Sequence, residues 1–124
     1  MNTVGIDIIE IDRVASVVDR WGNRFLNRIY TKNELDYCRG RFPQLAARFA
    51  AKEAVMKALG TGVRGVGWRD IEVVRQRGGR PRVELHGRAA KVAIKTKVIH
   101  IALSISHSKK YAVASVSIDS ENPL

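Results

Sequence analysis

Two carboxylates stand in the most apolar stretches of this chain. Asp7 lies inside Val4-Gly5-Ile6-Asp7-Ile8-Ile9. Glu53 lies inside Ala46-Ala47-Arg48-Phe49-Ala50-Ala51-Lys52-Glu53-Ala54-Val55-Met56-Lys57-Ala58-Leu59. An ionised carboxylate is costly to remove from water unless a cation meets it. With no His or Cys beside them, the pair suits a hard cation. Mg²⁺ commonly takes one or two protein carboxylates and fills the rest of its octahedron with water and phosphate oxygens. Lys57, one turn beyond Glu53, could then meet a phosphate as a point charge.

Each residue also has a plainer reading. Aspartate is depleted from strand interiors, so Asp7 could end its strand or cap the next helix. Glu10 and Asp12 read as solvated or capping residues. Glu53 and Lys57 could form a helical ion pair worth about 0.3–0.5 kcal/mol. Against that pair, a helix apolar almost all round should be buried, and a buried ion pair is a poor stability device. His107 continues the apolar row Ile99, Ile101, Leu103, Ile105 at the point where a hairpin turns. It reads either as a loop histidine or as a phosphate ligand or proton carrier beside Lys109 and Lys110. His100 faces the other way.

The elements that must position these residues follow from the pattern. Residues 3–9 predict a buried strand, with Val4, Ile6 and Ile8 on one face and Asp7 on the other. A helix follows from about Asp12, its natural cap. Val14, Val18, Trp21 and Phe25 fall on one stripe of it, and Arg13, Arg20, Arg24 and Arg28 on the neighbouring one. Gly22 can divide this helix. Thr31-Lys32-Asn33-Glu34 fits a capping box and predicts a short helix to about Arg39. The alanine-rich helix spans 45–59 and stops at Gly60. Residues 61–67 form a glycine-rich loop with no strand before it, which excludes a nucleotidase-type phosphate loop. Residues 71–74 and 82–85 predict a hairpin turning at Gly78-Gly79-Arg80-Pro81. A short basic helix over 89–97 leads into a second hairpin, 98–106 and 111–118, and residues 121–124 read as a frayed tail. The predicted fold is α+β: helices packed on a mainly antiparallel sheet, in a single domain over 1–124.

Composition narrows the partners. The chain has 124 residues, 45% of them hydrophobic. Its 22 Lys+Arg outnumber 12 Asp+Glu, giving a formal charge of +10. That excess favours an acidic protein, a phosphate-rich ligand, a nucleic acid or an anionic membrane. The single cysteine, Cys38, excludes an intrachain disulfide framework and a cysteine metal site. No charged-then-apolar leader and no long apolar run is present, which predicts a soluble, cytoplasmic protein with no membrane partner. Three Phe and three Tyr form no ladder among the basic residues, and no recognition-helix or zinc-finger pattern occurs. Both facts argue against nucleic acid.

Three motifs together carry a resemblance. Val4-Gly5-Ile6-Asp7-Ile8, then Arg48-Phe49-Ala50-Ala51-Lys52-Glu53-Ala54 with Lys57-Ala58 and Gly60-Thr61-Gly62, then Ser104-Ile105-Ser106-His107-Ser108 resemble holo-acyl-carrier-protein synthase, the small class of 4′-phosphopantetheinyl transferases. Order, spacing and total length agree, and the middle motif is the most specific. The resemblance implies transfer of 4′-phosphopantetheine from coenzyme A to a serine of an apo acyl carrier protein, releasing adenosine 3′,5′-bisphosphate, in fatty acid biosynthesis. It implies Asp7 and Glu53 as Mg²⁺ ligands. It places Arg48, Lys57, Gly62, His107 and Lys109 near coenzyme A. It further implies a homotrimer with active sites at subunit interfaces, whose first helix receives the acidic carrier through Arg13, Arg20 and Arg24. Physically this is coherent, because pyrophosphate transfer needs charge neutralisation more than covalent help. A metal-bound water, Glu53 or Asp7 could accept the serine proton. A noncatalytic carrier-binding domain would have no reason to keep Asp7, Glu53 and Lys57 together.

Overall fold

β1, Asn2–Glu10, supplies one edge strand of a three-stranded antiparallel sheet in the order β1-β5-β4. The structure is a computed structural model and describes residues 1–75 and 78–124. The sheet is completed by β4, Val98–His107, and β5, Tyr111–Ser120. The second hairpin, β2 (Ile71–Arg75) and β3 (Pro81–Leu85), forms a separate two-stranded sheet. Between the sheets in sequence run α1 (Ile11–Trp21), α2 (Asn23–Ile29), α3 (Lys32–Cys38), α4 (Phe42–Leu59) and the single turn α5 (Gly62–Gly65). A 3-10 turn, Trp68–Asp70, precedes β2, and α6, Gly87–Thr96, precedes β4. Helices on mainly antiparallel sheet is the predicted class.

α4 organises the molecule. Its alanines carry little side chain, so the sheet backbone can approach it closely. Gly5 of β1 marks the contact: a Cβ there would lie 1.9 Å from the Ala54 carbonyl oxygen. Ala50, Ala51, Ala54, Val55 and Leu59 are buried together with Val116 and Ile118 of β5 and Ile71 and Val73 of β2. A second cluster joins Ile11, Val14, Ile29, Tyr30 and Leu45 under α1 and α2. Each large aliphatic side chain so buried contributes about 1.5–3 kcal/mol. Burial on nearly every face of α4 follows the prediction from its all-round apolar sequence.

Gly22, at φ +55°, does divide the first helical region, as its sequence position suggested. The capping box at Thr31 and Glu34 is also formed.

Several expectations need correction. α1 begins at Ile11 with Glu10 in the cap position, so Asp12 lies in the first turn and caps nothing. β1 is not buried on both faces. Its inward row is Thr3, Gly5, Asp7 and Ile9, whereas Val4, Ile6 and Ile8 are 69%, 61% and 63% exposed. The β4 row is broken as well. A register irregularity between Val98 and His100 turns Ile99 outward, leaving it 63% exposed. Ile101, Leu103 and Ile105 keep to the core face, packed against the main cluster. The C-terminal segment is tied down: Glu121 and Asn122 N–H groups donate to the Lys97 and Thr96 carbonyls, and Leu124 packs on the core.

Candidate active site

Asp7 points from the inward row of β1 toward α4, where the pleat and the close Gly5–Ala54 approach bring it beside the last turns of the helix. Lys57 Nζ donates to the Asp7 carboxylate at 3.1 Å and to the Ile6 carbonyl at 2.9 Å. The ion pair that Glu53 and Lys57 could have formed along α4 is therefore replaced by one across to the strand. Asp7 and Glu53 face one cleft of about 400 Å³, shared with Arg13, Val17, Phe25 and Phe49. Glu53 is half-buried. Burial, and then the nearby Asp7 charge, push its carboxyl above the usual carboxylate range; Lys57 and Arg13 oppose them. Two oxygen donors in one half-apolar cleft, destabilising each other as anions, form a donor set that fits a hard divalent cation.

Arg48 and His107 gather elsewhere. They line a second cleft with Tyr37, Gln44, Arg75 and Ser106. Arg48 is 2% exposed, its guanidinium stacked over Tyr37 at 4.3 Å. Among the described residues its buried Nη2 has no hydrogen-bond partner. A buried, unpaired guanidinium nitrogen beside an exposed arginine and a histidine is an arrangement suited to an anion. His107 stands on the core face of β4, continuing Ile105 as the sequence pattern predicted.

The two clefts lie at opposite edges of the sheet, one under β1 and the other under β4. Of the remaining predicted residues, Gly62 opens α5 at φ +60° and Lys109 sits exposed in the β4–β5 turn; neither lines these two clefts. Arg13 joins the carboxylate cleft, and Arg24 lines an adjoining groove with Val17, Trp21, Phe25 and Arg28. Arg20 lines neither and stacks on Trp21.

The sequence reading missed what braces α4. Lys52, fully buried, pairs with Glu34 at 2.7 Å and donates to the Trp68 and Ile71 carbonyls. Glu34 also accepts from the Thr31 and Val73 N–H groups. Its capping-box position was visible in sequence, but its second role needed the fold. Tyr37, Gln44 and Arg75 carried no local signal at all. Glu72 and Glu84 of the second sheet and His86, at the N-cap of α6, bring potential ligand atoms within 4.8 Å of one another, apart from Asp7 and Glu53.

A carboxylate pair suited to a hard cation, split between β1 and α4 with Lys57 bonded across to the strand, is an arrangement suited to phosphate chemistry. The sequence model of the 4′-phosphopantetheinyl transferase superfamily matches residues 3–116, and the chain belongs to that family. It is similar to the holo-[acyl-carrier-protein] synthase of Koribacter versatilis, 52% identical over 93% of this chain and 95% of that one. The fold matches the crystal structure of Helicobacter pylori holo-[acyl-carrier-protein] synthase in complex with coenzyme A. There the TM-score is 0.86 and the identity 29%, over 94% of this chain and 99% of that one. The Bacillus anthracis synthase, in complex with CoA (3′,5′-ADP), matches with TM-score 0.77 and 39% identity, over 96% of each chain. The chain is thus an enzyme of the phosphopantetheinyl transferase class.

Proposed function

We propose that this enzyme transfers 4′-phosphopantetheine from coenzyme A to a serine of an apo acyl carrier protein, with Mg²⁺, in the cytoplasm, for fatty acid biosynthesis. The observation that carries the reading is that Asp7 and Glu53 face one cleft, lined also by Arg13 of α1, with Lys57 bonded to the Asp7 carboxylate. Coenzyme A in the structurally similar synthases supports the donor.

The reaction forms a bond from the carrier serine Oγ to the β-phosphorus and breaks the bond from that phosphorus to the bridging oxygen. Adenosine 3′,5′-bisphosphate leaves with that oxygen, and the serine proton passes to a base in the cleft. Asp7 and Glu53 would hold the metal, which when bound supplies charge neutralisation at the pyrophosphate. Lys57 adds a fixed cation at the same place. Arg48 and His107, in the β4-edge cleft, would hold another part of coenzyme A, with its phosphates as ligands for the unpaired guanidinium nitrogen. Gly62 and Lys109 would also lie near coenzyme A, Lys109 beside its phosphates. Arg13, Arg20 and Arg24 would receive the acidic carrier.

Half-sites at opposite sheet edges favour a site shared between copies. The exposed row Val4, Ile6 and Ile8 lies on the sheet face away from α4, with Val113 and the small Ala102, Ser104 and Ser115 beside it. Such a flat apolar face supports a homotrimer whose active sites lie at its subunit interfaces. The hairpin row Ile101, Leu103 and Ile105 packs against the core and takes no part in this face.

The test is mass spectrometry of an apo carrier incubated with coenzyme A, Mg²⁺ and the enzyme. The carrier should gain one phosphopantetheine on its serine. An unmodified carrier under saturating conditions would overturn the reading.

A further inference from the structure

A third cleft lies on the far side of α2. Five cations surround it, each from a different element: Arg28 of α2, Lys32 of α3, Arg64 of α5, Arg69 of the 3-10 turn and Arg88 of α6. All five are exposed, and none forms an ion pair among the described residues. The one acid in the lining, Asp70, turns its carboxylate onto the Gly67 N–H at 3.0 Å. Among the described residues no carboxylate pairs with these cations, and unpaired charges held together repel one another.

The character of the cluster narrows its ligand. Arg48 is a buried donor with an unmet hydrogen bond, suited to one fixed anion. The five cations here are long, exposed and spread over five elements, suited to several acidic groups along a segment. A base-stacking partner is disfavoured, because the aromatic in the lining, Trp68, already has its face stacked on Phe49 at 4.9 Å.

Its position narrows the partner. Val17 and Phe25 line both the carboxylate cleft and the groove on α1 and α2. Arg28 lines both that groove and the basic cleft. The three depressions therefore adjoin in sequence, from Asp7 and Glu53, through the groove of Val17, Trp21 and Phe25, to the five cations. Eleven residues of α1 at 1.5 Å each span about 16 Å before α2 begins. A protein whose serine reaches the carboxylates, and whose body lies along α1, extends to the basic cleft.

We propose that this cleft receives a second acidic segment of the acyl carrier protein, separate from the one that meets the α1 arginines. The proposal rests on the carrier reading above. It makes the cleft a register stop: the acidic segment anchored there sets how far along α1 the carrier sits, and so where its serine falls.

The test uses R64E/R88E and the milder R64Q/R88Q in the intact enzyme, with circular dichroism to confirm the fold. The carrier KM should rise about five-fold for R64E/R88E at low salt, the scale of two or three exposed charge contacts. The charge-neutral variant should fall between. The coenzyme A KM should not move. Raising salt should close the gap with wild type, since exposed charges are screened over about 10 Å at 0.1 M. An unchanged carrier KM, or equal rises for both substrates, overturns the proposal. So does wild-type binding of a duplex oligonucleotide that the substitutions abolish while the carrier KM stays fixed. Direct titration of carrier onto enzyme separates the two readings. If wild type binds carrier through these arginines but transfers nothing, the transfer reading fails and the cleft assignment stands. If binding ignores the arginines, the cleft assignment fails whatever the transfer result.

Discussion

Lys57 Nζ sits 3.1 Å from the Asp7 carboxylate, fifty residues away in sequence, rather than against Glu53 one turn back on α4. The lysine therefore links the strand to the helix at the point where both carboxylates face the cleft. It is half-exposed, with room to turn to a phosphate. Lys57→Ala should leave the fold intact and lower kcat about 100-fold, the scale of a lost electrostatic contact to a reacting group. Near-wild-type turnover by a folded Lys57→Ala enzyme would remove the residue from the chemistry.

Asp7→Ala and Glu53→Ala should each nearly abolish transfer while retaining secondary structure. Added Mg²⁺ should raise the wild-type Tm and leave both variants unmoved, because a ligand that binds only the folded state stabilises it. A Glu53→Ala enzyme active at limiting Mg²⁺ would defeat the metal assignment.

Glu53 also predicts a pH dependence in the metal-free protein. Its folded-state pKa is raised above the ordinary value, by burial first and by Asp7 second. A raised carboxyl favours folding while protonated. That contribution is complete below the unfolded value, about 4.3, and is lost as pH rises through the folded value. Glu53→Gln should therefore melt above wild type at pH 7, and the difference should vanish in acid. Thermal melts across pH without metal check it; equal melting at pH 7 would show that the charge is already compensated.

Gly5 is required by contact. A Cβ 1.9 Å from the Ala54 carbonyl oxygen cannot be accommodated without moving β1 from α4. Gly5→Ala should cost about 3 kcal/mol, at the severe end for overpacking, and should separate Asp7 from Glu53. Chemical denaturation and transfer assays should fall together. A variant of normal stability and activity would show that the strand and helix are not closely joined.

The Glu34–Lys52 pair predicts an asymmetry. Lys52→Met leaves Glu34 buried and uncompensated, at a cost of about 3–5 kcal/mol. Adding Glu34→Gln should recover part of that loss, because the stranded charge disappears. Denaturant midpoints of the two single variants and the double variant measure the coupling. Strict additivity would mean that the pair is not coupled.

The exposed row of β1 predicts assembly. Light scattering should report a trimer for wild type and a smaller species for Ile6→Asp, which places a charge in the middle of that face. A wild-type monomer with full activity would refute it.

The sequence by itself determined the α+β class, the break at Gly22, the capping box at Thr31 and the burial of α4, and it singled out Asp7 and Glu53 as candidates for the chemistry. Each of these is written locally, in periodicity, in turn chemistry, or in a charge placed where charge is costly. It could not determine partners across elements. The Glu53–Lys57 spacing allowed a helical pair, but the Gly5 contact brought Asp7 nearer to the lysine and the fold chose the strand. The apolar alternation of β1 was legible, yet which row faced the core was not. Only the packing of Gly5 against Ala54 decides that Val4, Ile6 and Ile8 point outward. One irregularity in β4 likewise turned Ile99 out of a row that the alternating pattern assigned to it. Arg75, Tyr37 and Gln44 meet Arg48 only because β2, α3 and α4 converge there, and no spacing along the chain encodes that meeting.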